Sequence, residues 1–522
     1  MPQPLTITVK PYVPPRKALE LAWDQAVRAA ARHVGDADHR VLSLRLAPPE
    51  RKTRRPAKAT GFHATVYDYT NARTLDLRGS LKESAKVEIV ESGRQPGVSH
   101  EEWEAAVEVL RRGGDFGVAL RDGTLKPYKP MPPHVPVELP DGRRERWITV
   151  GLLPARRRGP HEIVGVELAR KRVTRYDGGA PETALASAST CGVPADAGQA
   201  TAAQGTPGEA VVTVSRGNTV LWEFLAVRPA ASSGFWGSGL ELRNVLYRGR
   251  SVLFQAHVPI LNVHYNADKC GPYRDWQWQE GMIQATGQDV APGFRLCPAP
   301  AKTIMDTGSD TGNYLGVAIY LDGEECVLVS EMEAGWYRYV SQWRLHANGT
   351  LRPRFGFAGT EDSCICNVHH HHVYWRLDFD IGEPSNVVRE FNDPPIAGAK
   401  KWTALQFEAK RMRDPAHKRR WRVENGAGQG YEIVPGPNDS TAEGSWYGKG
   451  DLWALRYRPN QIDDHPTSGT AAELDRFVNR EPLLHQDVVI WYAGHFTHDV
   501  RQHGAAEPDH IVGPDLVPYR WT

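Results

Sequence analysis

The sequence is poor in cysteine, has almost no net charge and contains no long apolar run. Six cysteines in 522 residues are too few for a disulfide scaffold, although one or two bridges stay open. The formal net charge of +1 gives no reason to expect a nucleic acid or an anionic membrane as a partner. Without a run of about 18 apolar residues, no membrane-spanning helix is expected. The first residues lack the apolar core of a secretory signal, so we expect a cytoplasmic protein.

Tryptophan, proline and glycine are plentiful, at 16, 39 and 49 residues, which favours many short strands and turns over helical bundles. Two helices are nevertheless predicted near the N-terminus. Residues 16–34 carry apolar side chains at three- and four-residue spacing and are followed by Gly35. Ser99 is followed three residues later by Glu102, which is the form of a helix-capping box.

A chain of this length is expected to contain several folding units. After about Glu209, short apolar runs recur between turn signals and helical patterns almost disappear. The predicted fold is therefore α+β N-terminal domains followed by a large antiparallel β-sandwich. The predicted boundaries are a small α+β domain at 1–95, a second one at 96–180, a linker or long loop at 181–208, and the sandwich at 209–522.

The most informative segment is residues 364–378, Cys-Ile-Cys-Asn-Val-His-His-His-His-Val-Tyr-Trp-Arg-Leu-Asp. On a strand, side chains two apart share a face, so His369 and His371 are predicted to converge on one metal ion. Imidazole nitrogen suits copper, zinc or iron. Cys364 and Cys366 are interpreted as small core residues, with copper(I) ligation or disulfide pairing as the alternatives.

A second segment, residues 487–501, reads Asp-Val-Val-Ile-Trp-Tyr-Ala-Gly-His-Phe-Thr-His-Asp-Val-Arg. Together the two segments resemble the copper/topaquinone amine oxidases. That family carries a His-Gln-His-x-x-x-x-Arg-Leu-Asp strand and a later Asp-Ile-Val-Leu-Trp-x-x-x-x-x-Thr-His-x-x-Arg strand. The resemblance implies that His369, His371 and His498 hold copper, with His370 in place of the family's glutamine.

Further stretches follow in the same order. Residues 451–457, Asp-Leu-Trp-Ala-Leu-Arg-Tyr, are similar to the family's Asp-Leu-Trp-Val-Thr-Arg-Tyr, and Val258–Tyr265 is similar to its Glu-Met-Val-Val-Pro-Tyr segment. The resemblance implies a copper-dependent oxidase that deaminates a primary amine to an aldehyde, with release of ammonia and hydrogen peroxide. It also implies dioxygen as the second substrate and a homodimer.

The family makes its quinone cofactor, topaquinone, from one of its own tyrosines, in Thr-x-x-Asn-Tyr-Asp/Glu six residues before a Trp-x-Leu-x-x-Asp-Gly-Thr hairpin. Residues 343–350, Trp-Arg-Leu-His-Ala-Asn-Gly-Thr, are similar to that hairpin, and six residues before them stands Tyr337. Its neighbours depart from the motif, with Glu333, Trp336 and Arg338 in place of threonine, asparagine and the acid. Tyr314, in Asn-Tyr, is the alternative precursor.

Amine oxidation also needs a carboxylate base, which the family places shortly after the Val-Pro-Tyr segment. Tyr265 matches the tyrosine that hydrogen-bonds the quinone. Counting onward without gaps gives Gln279, so the neighbouring Glu280 is the predicted base and Asp275 the alternative.

Asp378 and Asp487 stand where the family binds a peripheral hard cation through oxygen atoms. Oxygen ligands of this kind suit calcium or manganese. Two other functions stay open. One is a copper oxidase of the same fold without topaquinone, acting on a specialised biosynthetic substrate such as a phenol or a peptide. The other is a non-catalytic metal-binding scaffold.

Overall fold

A computed structural model of the chain describes most of its length. The described residues are 3–12, 16–47, 52–81, 87–93, 95–130, 133–154, 162–176, 191–194, 206–234, 236–265, 273–362, 364–396, 398–440, 449–462, 474–499 and 510–521. Most of the predicted linker, 181–208, lies outside these ranges, as does Arg501. Within them, no helix is both long enough and apolar enough to cross a membrane.

The first predicted helix is confirmed over the predicted residues. The elements of this part of the chain are β1 (Leu5–Pro11), α1 (Arg16–Val34), β2 (His39–Ala47), β3 (Gly61–Asp68), β4 (Arg73–Ser80) and β5 (Val87–Ser92). The antiparallel sheet β2–β5 is covered by α1, whose alanines Ala22, Ala26 and Ala30 are fully buried. Strand β1 instead joins the large sheet of the C-terminal region by pairing with a later strand, through Val9 and Val212 among others.

The second part of the chain has the same α+β character. Its elements are α2 (His100–Arg112), α3 (Gly114–Arg121), β6 (Leu125–Tyr128), β7 (His134–Glu138), β8 (Arg144–Pro154), β9 (Glu162–Glu167) and β10 (Arg172–Arg175). The predicted capping box is confirmed: the Glu102 amide donates to Ser99 Oγ over 3.1 Å, and the Ser99 amide donates to Glu102 Oε2 over 3.1 Å.

In the rest of the described chain the regular elements are strands, apart from one short α-helix and four 3-10 helices. The elements are β11 (Glu209–Arg216), β12 (Thr219–Val227), β13 (Glu241–Tyr247), β14 (Arg250–Tyr265), β15 (Tyr273–Arg274), β16 (Glu280–Ile283), β17 (Gln288–Ala291), β18 (Phe294–Leu296), α4 (Ile304–Thr307), β19 (Tyr314–Leu315), β20 (Val317–Asp322), β21 (Glu325–Ala334), β22 (Tyr337–His346), β23 (Leu351–Gly359), β24 (His369–Phe379), β25 (Val387–Phe391), β26 (Trp402–Ala404), β27 (Ala409–Arg411), β28 (Arg420–Glu424), β29 (Gly430–Val434), β30 (Leu452–Arg456), β31 (Val488–His498), β32 (Ile511–Val512) and β33 (Asp515–Tyr519).

Two large sheets pack face to face over one apolar core, which confirms the predicted sandwich. One sheet has the order β1-β11-β12-β13-β14-β24-β31-β30-β27, with β15 added to β14. The other runs β17-β18-β20-β21-β22-β23-β33-β29-β28-β25-β26. The pairs are antiparallel apart from β18 with β20. Leu261 and Val263 of the first sheet share a buried cluster with Tyr339, Phe355 and Phe357 of the second, so β14, β24 and β22 enclose the site described below.

Glu102 does more than cap α2, because its carboxylate is fully buried and pairs with the buried Arg146 guanidinium over 2.8 Å. It also accepts from the Tyr69 hydroxyl over 2.6 Å, which links α2 to the loop after β3. Glu102→Ala is expected to lower the free energy of unfolding by about 3–5 kcal/mol, since it leaves a buried cation unpaired. Urea denaturation measures the change, and Glu104→Ala, on the exposed face of the same helix, should change it by less than about 0.5 kcal/mol.

Candidate metal centre and active site

Three aromatic side chains line up across three adjacent strands of the first sheet. In the antiparallel pairing, Tyr265 at the end of β14 lies opposite His369 at the start of β24, and His369 lies opposite His498 at the end of β31. All three side chains are buried. The alignment follows from strand pairing alone, so it brings together residues that are more than 100 positions apart in sequence.

The hydrogen bonds of the imidazoles show which nitrogens face the common centre. His369 Nδ1 lies 2.7 Å from the carbonyl oxygen of Asn367, which makes it the protonated nitrogen and leaves Nε2 as the lone-pair donor. That Nε2 lies 3.0 Å from His498 Nδ1. Two imidazole nitrogens at this separation can share either a proton or a metal ion.

His371 completes the set, two residues along β24. Its ring is fully buried and lies 5.0 Å from the His369 ring, centroid to centroid. Among the described residues, neither of its nitrogens has a hydrogen-bond partner. Burial lowers the pKa of His371 well below its usual value and that of His369 to about 3, so both rings are neutral, the form that binds metals. Buried, neutral imidazole nitrogens of this kind suit a copper ion.

The neighbouring histidines of β24 point to the opposite face of the sheet. His370 Nδ1 lies 2.9 Å from the Thr497 hydroxyl, and His372 Nδ1 lies 2.8 Å from His495 Nδ1. The strand alternation therefore separates the four histidines into the two pairs that the sequence predicts.

Tyr337 reaches the histidines from the facing sheet, at the first residue of β22. Its buried ring lies 4.9 Å from the His371 ring and 5.6 Å from the His369 ring, centroid to centroid. Its hydroxyl makes a short hydrogen bond with the Tyr265 hydroxyl, and Trp336 Nε1 donates to the same Tyr265 oxygen over 3.0 Å. The Tyr337 ring therefore lies beside the histidines that are predicted to hold the metal.

Two of the residues that depart from the family motif around Tyr337, Glu333 and Arg338, belong to an ion-pair cluster of their own. The Arg338 guanidinium binds both carboxylate oxygens of Asp310, at 2.8 and 3.0 Å, and lies 3.8 Å from Glu333. Successive residues of a strand face opposite ways, so this cluster lies on the side of β22 away from the metal site. The third departure, Trp336, lies on the tyrosine side instead: its Nε1 donates to the Tyr265 oxygen and its ring lies 6.2 Å from the Tyr337 ring, so it does change the surroundings of Tyr337.

The alternative precursor, Tyr314, lies in a different buried cluster, with Ile283 and Ala285. The Arg295 guanidinium covers its ring at 4.1 Å. This placement favours Tyr337 over Tyr314 as the tyrosine next to the metal.

Asp275 is the carboxylate next to the two stacked tyrosines, Tyr337 and Tyr339. Its Oδ2 accepts a short hydrogen bond from the Tyr339 hydroxyl, and the Tyr339 ring stacks on the Tyr337 ring at 5.3 Å. No described residue bonds to the buried Oδ1. Burial raises the pKa of Asp275 to about 7, against the opposing effects of the Tyr339 hydrogen bond and of Arg274.

Glu280, the predicted base, has another partner. Both of its carboxylate oxygens are held by the Arg228 guanidinium, one over 2.7 Å, and the side chain is fully buried. The guanidinium therefore occupies both carboxylate oxygens. The structure therefore places Glu280 in a structural ion pair, and Asp275, the alternative, is the carboxylate next to the tyrosines.

The two predicted ligands of a peripheral cation, Asp378 and Asp487, do lie together. Asp380, which the sequence interpretation omitted, joins them, and the three place carboxylate oxygens within 4.8 Å of one another. Lys52 projects its ammonium group among them.

The interpretation of Cys364 and Cys366 as small core residues is wrong. Cys366 forms a disulfide with Cys191, and Cys364 is also disulfide-bonded. Cys191 lies in the described part of the predicted linker, where its amide bonds to the Asp362 carbonyl oxygen. That part of the chain is thereby attached to the loop before the histidine strand.

The fold is that of the copper amine oxidases. No protein-family model and no curated protein sequence matches the chain. Among solved structures, it is similar to a copper-containing benzylamine oxidase from Hansenula polymorpha, with a TM-score of 0.63, 14% identity and 98% of each chain covered. It is also similar to an Aspergillus nidulans amine oxidase, with a TM-score of 0.52, 14% identity, and 100% of this chain and 91% of that chain covered. A lysyl oxidase from Pichia pastoris gives a TM-score of 0.51 at 10% identity, with 96% of this chain and 89% of that chain covered.

Proposed function

We propose that this protein is a copper-dependent amine oxidase that uses Tyr337, converted to topaquinone, as its reactive residue. The observation that carries the proposal is the placement of the Tyr337 ring beside His369 and His371, whose buried nitrogens suit a metal ion. In the overall reaction a primary amine, water and dioxygen give an aldehyde, ammonia and hydrogen peroxide. Two electrons and two protons pass from the amine to dioxygen.

Copper would be held by His369, His371 and His498. When bound, it would supply the oxygen chemistry that modifies Tyr337, and the resulting quinone would supply the carbonyl that accepts the amine. The three histidines sit on two paired strands inside the sandwich, so their spacing is fixed before the metal arrives.

Tyr265 holds the oxygen atom of residue 337 in place. The two hydroxyls share a short hydrogen bond in which either oxygen can donate, and Trp336 Nε1 donates to the Tyr265 oxygen. The bond restricts rotation of the ring between the sheets. Burial raises the pKa of both phenols well above the usual value, so both keep their protons at neutral pH.

Asp275 replaces Glu280 as the proposed base. A base removes the proton from the carbon next to the substrate nitrogen, and it works best when its pKa lies near the working pH. Burial gives Asp275 such a pKa, about 7, and its Oδ1 bonds to no described residue. The Tyr339 hydroxyl holds the other oxygen and so orients the carboxylate toward the stacked tyrosine rings.

The proposed base predicts a pH dependence. Asp275 accepts a proton only when ionised, so kcat/KM should fall as the pH drops below about 7 and level off above it. Asp275→Asn should lower kcat by roughly 10²–10⁴-fold and remove this acid limb. Initial rates of peroxide formation, measured across pH, test both the pH dependence of kcat/KM and the fall in kcat. Glu280→Gln is the matched control variant. An acid limb that persists in Asp275→Asn, or that disappears in Glu280→Gln, would identify a different base.

The reaction class is tested by oxygen uptake of the copper-loaded protein with panels of primary amines, phenols and peptides. Uptake with amines, and an equal yield of peroxide and aldehyde, is the expected result. Uptake with phenols or peptides alone would indicate an oxidase without topaquinone, and no uptake at all would indicate a scaffold. The homodimer stays a prediction, and so does the cytoplasmic location; disulfides are more usual in oxidising compartments.

A further inference from the structure

A second charged centre lies at the far end of the two histidine strands. Asp378 is the last residue but one of β24, Asp380 directly follows that strand, and Asp487 directly precedes β31. Their carboxylate oxygens converge to within 4.8 Å of one another. Oxygen atoms gathered in this way suit a hard divalent cation, which is what the family resemblance implies for this position.

The centre is filled by a side chain of the same protein. Lys52 Nζ lies 2.5 Å from Asp378 Oδ1, 2.6 Å from Asp487 Oδ1 and 2.9 Å from Asp380 Oδ1. An ammonium group has three N–H donors and no acceptor, so its three protons match the three carboxylates one to one. The Lys52 side chain is only 8% exposed.

The surroundings of Lys52 also suit an ammonium ion. The Tyr457 ring lies 4.1 Å from Nζ and the Phe254 ring 5.2 Å, so two aromatic faces supply further negative potential. The neighbouring backbone is anchored too, because Asn244 Nδ2 donates to the Thr53 carbonyl oxygen over 2.6 Å. Lys52 comes from the connection between β2 and β3, so its position depends on docking of the N-terminal region against the sandwich.

We propose that the Lys52 ammonium group takes the place of the peripheral divalent cation, and that the native protein binds no calcium or manganese there. A metal ion bound to the three Oδ1 atoms, at about 2.0–2.6 Å, would have to contact the same oxygen atoms that Lys52 holds. It would then overlap Nζ, and two cations cannot share that space. The N-terminal region thus supplies the positive charge that holds together the outer ends of β24 and β31.

This proposal is independent of turnover, and metal binding tests it directly. Terbium is a suitable probe, because it binds calcium sites and its luminescence is excited through a nearby aromatic ring such as Tyr457. The native protein should contain less than about 0.1 calcium or manganese per chain by elemental analysis, and should give no sensitised terbium emission. Lys52→Met should give emission that saturates near one ion per chain, and calcium should raise its unfolding midpoint by roughly 5 °C.

Lys58→Met is the matched control, since it removes an exposed lysine from the same connection. It should behave as the native protein does. Stoichiometric calcium or manganese in the native protein would overturn the proposal, and so would a folded Lys52→Met protein that binds no terbium. If Lys52→Met does not fold, the native protein alone decides through its metal content and its terbium emission.

Discussion

Tyr337→Phe is expected to abolish amine turnover while leaving the copper content unchanged. The proposed oxidation of the ring to a quinone requires the phenol oxygen of Tyr337, and phenylalanine has no such oxygen. None of the three histidines bonds to that oxygen, whose partner is Tyr265. The loss should therefore exceed about 10⁴-fold in kcat, beyond what a positioning defect alone produces. Peroxide release and elemental analysis of the same sample measure the two quantities.

Tyr314→Phe is the matched control, because it removes the hydroxyl of the other candidate from a separate buried cluster. It should retain turnover and react with phenylhydrazine as the native protein does. If Tyr314→Phe were inactive and Tyr337→Phe active, the assignment of the reactive tyrosine would be reversed.

His371→Ala is expected to remove copper and, with it, all oxidase activity. The buried imidazole supplies one of the three proposed ligands. No described residue forms a hydrogen bond with its nitrogens, so no neighbouring polar group is in place to replace it as a ligand. The loss of copper affinity should be larger than the roughly 10–100-fold that follows removal of a group outside the ligand set. Competition with a copper chelator gives the affinity.

His370→Ala provides the comparison at the next position of the same strand. Its ring faces away from Tyr337 and contacts Thr497, so copper affinity should change by less than about tenfold. Equal loss of copper in both variants would contradict the assignment of the two strand faces.

Much of the metal centre could be predicted because it depends on local periodicity. The alternation of a strand separates His369 and His371 from His370, whatever the rest of the chain does. The capping box at Ser99 is equally local. The sandwich was predictable at the level of architecture, since short apolar runs between turns allow few other folds for so long a segment.

The base could not be derived in the same way. Counting from Tyr265 without gaps led to Gln279 and its neighbour Glu280. Such a count assumes that the loop after β14 has the same length here as in the family, and the sequence alone does not test that assumption. In the structure Asp275 directly follows β15, which pairs with β14, and its carboxylate accepts a hydrogen bond from the Tyr339 hydroxyl. The ion pair of Glu280 with Arg228 joins residues that are 52 positions apart, so no local sequence pattern predicts it.

The long-range contacts were missed for the same reason. Lys52 and Asp378 are separated by 326 positions, and Cys191 and Cys366 by 175. Asp380 did carry a usable signal, because it stands two residues after Asp378 and therefore on the same side of the chain.

The central claim, that Tyr337 is oxidised beside copper, is tested most directly by peptide mass spectrometry. The protein would be purified without metal, loaded with copper in the absence of oxygen and then exposed to air. The peptide containing Tyr337 should gain two oxygen atoms and lose two hydrogen atoms, and the same peptide of His371→Ala should not change. An unmodified Tyr337 in copper-loaded protein that turns over amines, or the same mass change at Tyr314 instead, would contradict the account.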